Sequence, residues 1–263
     1  MPDRVAVITG AARGIGAATA RRMSASGWSL VLVDRACDDP ALTYPLGSAE
    51  ELEAVVASCG TDRVAMVRAD VRDQEALDAA VGLAVERFGG LDAALAVAGA
   101  IHGGAPTWAI TDEAWSTMVG INLEGVWRLA RAAVPAMLER ARPRQGRFVA
   151  VSSSGGTFGL PLLAAYTAAK HGIEGLVRSL AAELGDEGIT ANVVAPGSTA
   201  GAMLDASAAV YGLDDPDEFA LHHLQHRLID PDEVAATLEW LCSPGSSAIT
   251  GAVVAVDAGM TAS

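Results

Sequence analysis

Seven short apolar runs recur from one end of the chain to the other, each separated from the next by a longer stretch with helical spacing. They occupy residues 5–8, 30–33, 64–67, 94–97, 148–151, 191–194 and 253–256. Most are continuously apolar, where a strand with one wet face would alternate. A strand that is apolar on both faces has to be covered on both, which requires helices above and below a parallel sheet. The pattern therefore predicts an α/β fold, a doubly wound parallel seven-stranded sheet flanked by helices. At 263 residues and 51% hydrophobic, the chain can fill one large core, so one domain over residues 1–263 is expected. Helix starts are marked by Asp73 ahead of Leu77, Val81, Val85 and Phe88, and by Thr111 ahead of Asp112 and Glu113. Asp215 and Asp230 each precede a proline, a capping residue followed by a first helical position. Two irregular stretches, about 36–48 and 198–230, are long enough to be binding loops, the second a substrate lid.

Charge and cysteine usage remove several classes of function. With 32 acidic against 18 basic residues, the formal charge of -14 repels phosphate backbones and anionic lipid, so neither nucleic acid nor a membrane surface is an expected partner. Cys37, Cys59 and Cys242 are far apart and form no CxxC pair, which suggests neither a disulfide framework nor a metal site. The first apolar run is too short for a signal peptide, and no stretch approaches the ~20 residues of a spanning helix. A cytoplasmic location is expected.

The first run ends in Thr9-Gly10-Ala11-Ala12-Arg13-Gly14-Ile15-Gly16, directly ahead of a helical stretch. Glycines there let the chain turn sharply, let backbone approach a pyrophosphate, and let a helix start close to the sheet. The free N–H groups and positive end of that helix then stabilise phosphate charge. The glycine spacing differs from the GxGxxG fingerprint, and alone it also suits any helix start that needs small residues. Asp34 ends the second run, about 20 residues further on. A carboxylate there accepts hydrogen bonds from ribose hydroxyls and repels a 2′-phosphate, which selects NAD over NADP. Arg13 and Arg35 argue the other way, since either could pair with that phosphate. Asp34 outranks them because the phosphate would sit against a fixed negative charge.

Tyr166 and Lys170 are four residues apart, so on a helix they share a face and can reach one ligand. Alone, the pair also reads as a surface Tyr and Lys. Here it follows, in order, the glycine turn, Asp34, Asn122 and the turn Ser152-Ser153-Ser154-Gly155-Gly156, and it precedes Pro196 and Gly197. With these motifs together the chain resembles the short-chain dehydrogenase/reductase family over essentially its whole length. That resemblance implies a single-domain Rossmann-like fold. The family's TGxxxGIG falls on Thr9 to Gly16, its YxxxK on Tyr166 and Lys170, and its catalytic serine on Ser153. Its helix asparagine falls on Asn122, its adenine-contacting pair on Asp70 and Val71, and its turn beside the nicotinamide on Pro196 and Gly197. Implied catalytic residues are thus Asn122, Ser153, Tyr166 and Lys170. The implied NAD site comprises Gly10, Arg13, Gly14, Ile15, Gly16, Asp34, Asp70, Val71, Ala98 and Gly99, completed by Tyr166, Lys170, Pro196, Gly197 and Thr199.

The implied chemistry is hydride transfer between NAD and a small secondary alcohol or carbonyl substrate, with Tyr166 taking or giving the hydroxyl proton. A phenol of ordinary pKa, about 10, needs roughly 4 kcal/mol of stabilisation to ionise near pH 7. A Lys170 charge at ~4 Å and an effective dielectric of ~20 supplies about that much. Ser153 would orient the substrate oxygen, and Asn122 would hold a water between Lys170 and solvent. The resemblance also implies a homotetramer in which the helix bearing Tyr166 packs on a symmetry mate. A protein that senses NAD without turnover could use the same fold, but the intact Ser153, Tyr166 and Lys170 favour an enzyme.

Several positions depart from the family. Ala96-Val97-Ala98-Gly99 stands where the family has NNAG, so two amides that brace the sheet are missing. Gly201 replaces a threonine that contacts the nicotinamide amide, with Thr199 nearby. The stretch after Asp34, containing Asp38, Asp39, Pro40, Tyr44 and Pro45, is longer than usual. With Pro-Gly-Ser-Thr at 196–199, it resembles a subgroup associated with the redox peptide cofactor mycofactocin, thought to hold NAD tightly and to use a mycofactocin-type electron acceptor. His222, His223 and His226 fall on an expected helix with 222 and 226 on one face, but no further ligand matches and they read as polar lid residues. His102 follows the fourth run, at the sheet edge where ligands bind. Met203, Leu204, Tyr211 and Phe219 suit either an apolar substrate pocket or an ordinary amphipathic helix.

Overall fold

In the computed structural model, which describes residues 4–262, each apolar run is a strand of one sheet. The strands are β1 (Val5–Thr9), β2 (Ser29–Asp34), β3 (Val64–Arg68), β4 (Ala93–Ala96), β5 (Gly146–Val151), β6 (Ile189–Pro196) and β7 (Val253–Val256). They lie in the order β3-β2-β1-β4-β5-β6-β7, and all neighbours are parallel. The continuous apolar runs are two interleaved faces. Val5 and Val7 of β1 join one core layer while Ala6 and Ile8 join the other, and Val31 and Val33 of β2 alternate with Leu30 and Leu32 in the same way.

Helices α1 (Gly14–Ala25), α2 (Ala49–Cys59), α3 (Gln74–Phe88), α4 (Asp112–Val119), α5 (Gly125–Leu138), α6 (Ala164–Leu184), α7 (Ala202–Tyr211) and α8 (Pro231–Leu241) follow in chain order. Met23 of α1, Leu52 of α2 and Leu238 of α8 bury against one face of the sheet. Leu77 of α3, Leu129 of α5 and Ile173 of α6 bury against the other. The expected caps are formed: Asp73 accepts from the Ala76 N–H, Thr111 from the Ala114 N–H, and Asp230 makes a reciprocal capping box with Glu233. Asp215 caps only a short 3₁₀ turn over Pro216–His222, because the chain leaves helical geometry straight after it. Among the described residues no helix is long and apolar enough to cross a membrane.

The strand order reverses between β1 and β4, so their C-terminal loops part and leave a crevice at that end of the sheet. Without the family's two amides, the crevice is braced by Thr9. Its hydroxyl accepts from the N–H groups of Val97 (3.2 Å) and Ala98 (3.3 Å) and donates to the Leu95 carbonyl (3.4 Å). Thr9→Val keeps the shape but removes the acceptor of two half-buried N–H groups. A loss of about 1–3 kcal/mol is expected, read as a lower urea midpoint at unchanged slope. An unchanged midpoint would show that other groups brace the crevice.

Candidate active site

Above the C-terminal ends of the central strands lies one cavity of about 960 Å³. Its first half is the turn between β1 and α1. Gly10 sits at φ +70, and a Cβ there would come within 2.6 Å of the Ala98 backbone. At Gly16 a Cβ would lie 2.0 Å from the Gly10 carbonyl oxygen. Any side chain at either position would push the turn away from the sheet. No side chain caps the N-terminus of α1, and Gly14, Ile15 and Gly16 line the cavity, so the first N–H groups of the helix are available to an anion.

Asp34 lines the same half and is oriented by two backbone donors, the N–H groups of Ala12 (3.0 Å) and Ala36 (2.9 Å). Both arginines that could have received a 2′-phosphate are engaged. Arg13 donates to the Pro45 carbonyl, and Arg35 pairs with Asp39 and, at 3.6 Å, with Asp70. Arg72 closes the network with bonds of 2.6 Å to both Asp39 and Asp70. This network holds the carboxyls of Asp39 and Asp70 below the usual range despite their burial. An open helix terminus and a fixed carboxylate fit NAD, and that carboxylate disfavours a cofactor with one more phosphate.

The other half holds the groups that could do chemistry. Tyr166 and Lys170 are buried near the start of α6, on one helical face. Ser153 ends the strand-to-turn connection after β5, and its hydroxyl accepts from the Gly155 N–H at 3.1 Å. Burial pushes the Tyr166 phenol up to about 12, opposed by a hydrogen bond with Ser153. Burial pulls the Lys170 amine down to about 7. Lys170 Nζ donates to the Val151 carbonyl at 3.0 Å and lies 5.5 Å from the centre of the Tyr166 ring. Its hydrogen bond thus runs to backbone, and it acts on the phenol through space. Asn122 sits in a π turn over Gly120–Glu124, between α4 and α5. Its side-chain amide is occupied by the Ala100 carbonyl and N–H and by the Met118 carbonyl, so any relay to Lys170 has to use its main chain.

All the remaining residues expected at the site line this cavity: Asp70, Val71, Ala98 and Gly99 on one wall, Pro196, Gly197 and Thr199 on another. Thr199 hydrogen-bonds the Gly197 carbonyl at 3.1 Å. His102 is absent from the cavity lining. The histidine cluster departs from expectation. The 3₁₀ turn ends at His222 and His226 has φ +49, so 222 and 226 do not share a helical face. His223 is buried, accepts from the Ser198 N–H at 3.1 Å, and its other ring nitrogen meets the Arg227 carbonyl at 2.5 Å. Among the described residues no group of His, Cys, Asp or Glu is arranged to hold a metal. Tyr44 is a lining residue that spacing did not single out. Its hydroxyl accepts the Ile101 N–H at 3.0 Å, tying the stretch after Asp34 to the loop after β4.

Comparison with known proteins agrees with this geometry. Residues 10–261 match a family model described as enoyl-(acyl carrier protein) reductase. The chain is 37% identical to the (-)-trans-carveol dehydrogenase of Rhodococcus erythropolis, over 98% of this chain and 97% of that one. It is also 37% identical to an uncharacterized NAD-dependent oxidoreductase of Mycobacterium tuberculosis, over 97% and 95% of the two. The crystal structure of carveol dehydrogenase from Mycobacterium avium in complex with NAD superposes with a TM-score of 0.93 at 33% identity, covering 99% of this chain and 98% of that chain. The family-model match, the identity to these relatives and the superposition together place this chain in the short-chain dehydrogenase/reductase family.

Proposed function

We propose that the protein is an NAD-dependent oxidoreductase that oxidises a small secondary alcohol, or reduces the matching ketone, with Tyr166 as general acid/base. One observation carries the reading. The corner formed by half-buried Ser153 and by buried Tyr166 and Lys170 opens into the same cavity as the glycine turn and Asp34. Bound NAD supplies the hydride acceptor, or in reverse the donor. The N–H groups of α1 would hold the pyrophosphate, Asp34 would receive the ribose hydroxyls, and Pro196, Gly197 and Thr199 would line the nicotinamide end. Ser153 orients the substrate oxygen toward Tyr166.

The proton step sets the energetic demand. Bringing a phenol from about 12 to near neutrality takes about 7 kcal/mol. Lys170, with its Nζ 5.5 Å from the centre of the ring, contributes about 3 kcal/mol at an effective dielectric of ~20, which leaves about 4 kcal/mol for the positive charge of an oxidised cofactor to supply. The NAD-bound relatives and the carveol dehydrogenase of Rhodococcus erythropolis support both the cofactor and an alcohol substrate. Trp115 on α4 and Trp127 on α5 are each more than two-fifths exposed, apolar surface that a homotetramer would cover.

Tyr166→Phe is expected to lower kcat/KM by about 10³-fold while NAD affinity, measured by titration calorimetry, stays within about twofold. Wild-type turnover should favour NAD over NADP at least tenfold. Retained turnover in the variant would assign the proton to another group, and a wild-type protein silent toward every alcohol and ketone would favour NAD sensing.

The stretch after Asp34 also supports the mycofactocin-associated reading, in which NAD stays bound and an external acceptor reoxidises it. Arg13 to Pro45 and Tyr44 to Ile101 fasten that stretch across the cofactor half of the cavity. NAD is expected to be released from the purified protein only on denaturation. Rapid exchange of bound NAD with labelled NAD in the native protein would contradict that.

A further inference from the structure

We infer that the lid half of the cavity selects an uncharged, apolar secondary alcohol or ketone, and that Tyr211 forms the end wall that limits its length. The inference rests on the oxidoreductase reading for the reacting end of the cavity and adds the substrate class. Leu160, Leu163, Met203, Leu204, Leu213 and Phe219 line this half. The arginines that line the cavity all belong to the cofactor half, where Pro45, Asp39 and Asp70 engage them. Polar atoms within the lid are occupied as well. Ser207 donates to the Met203 carbonyl at 2.8 Å, and the Tyr211 hydroxyl donates to the Pro161 carbonyl at 2.9 Å. His222 stands exposed beside the Phe219 ring, with centroids 6.3 Å apart. A carboxylate or ammonium on the substrate would leave water for a largely apolar wall that offers it only the solvent-exposed imidazole of His222, whereas apolar surface gains by entering.

The lid is also fastened. At its base the Ile229 N–H donates to Ser198 and the Ala200 N–H to Ile229, while buried His223 ties Ser198 to Arg227. At its far side Tyr211, the last residue of α7, reaches across to Pro161 and places its ring edge-on to Phe219 at 6.1 Å. With both ends held, the wall at Tyr211 is a fixed boundary, so substrate length is decided there.

The test measures binding of a neutral ring alcohol, cyclohexanol, against 4-hydroxycyclohexanecarboxylate and against 4-butylcyclohexanol. Calorimetry uses the NAD-loaded Tyr166→Phe protein, with turnover of the same three compounds measured in wild type. Cyclohexanol should bind at least tenfold more tightly than the carboxylate. Adding Tyr211→Ala should raise the affinity ratio of the butyl compound to cyclohexanol at least tenfold, and Tyr211→Phe, which keeps the ring and loses only its hydrogen bond, should give a smaller rise in the same direction. Equal binding of alcohol and carboxylate, no binding of any compound, or an unchanged ratio in both Tyr211 variants would overturn the inference. Selective binding without wild-type turnover would instead remove the oxidoreductase reading and leave the pocket's selectivity standing.

Discussion

Burial acts in opposite directions on the two titratable groups at the centre of this site. It raises the Tyr166 phenol to about 12 and lowers the Lys170 amine to about 7, so burial alone favours both neutral forms. Neither group is suited to proton transfer by itself. A positive charge brought close to the phenol changes that balance, because an ionised phenol also favours the protonated amine, and each charge stabilises the other. In the proposed mechanism, cofactor binding would supply the missing charge and so tie the proton step to the presence of the hydride carrier.

The rest of the fold serves to hold that corner against the cofactor cleft. β1 and β4 are adjacent in space but far apart in the chain, and their loops separate at one end of the sheet. The glycine turn fills one side of the gap and the start of α6 the other. Gly16 cannot carry a side chain because the Gly10 carbonyl occupies its place, and Thr9 fixes the backbone opposite. Stability and function meet in these few residues. In the proposed site, the backbone that would approach a pyrophosphate is the same backbone that packs against the loop after a second central strand.

Much of this was legible in the chain. Strands buried on both faces leave an unbroken apolar run, which is why all seven were visible, and the glycine turn, Asp34, Tyr166 and Lys170 are marked by local spacing. What escaped depends on contacts between distant residues. Nothing near Thr9 indicates that it takes over the bracing lost with the two amides, since its partners follow β4. The competition between Asp34 and two arginines turns on distant partners: the Pro45 carbonyl engages Arg13, and Asp39 and Asp70 engage Arg35. The histidine cluster was misplaced because Asp215 and Pro216 start a helix that stops after a short 3₁₀ turn, leaving His223 to turn inward and bind the lid's own backbone. Tyr44 carries no periodic signal, lying in an irregular stretch whose path is set by the cavity it crosses.

The dependence of the phenol's charge on the bound cofactor can be observed directly by ultraviolet difference titration of tyrosinate, comparing cofactor-free protein, the NAD complex and the NAD complex of Tyr166→Phe. The account predicts one tyrosinate forming near neutral pH in the NAD complex alone, absent from the variant and, in the cofactor-free protein, delayed toward about 12. A complex in which no tyrosine ionises until strongly alkaline pH, or in which the neutral titration persists in Tyr166→Phe, would contradict it.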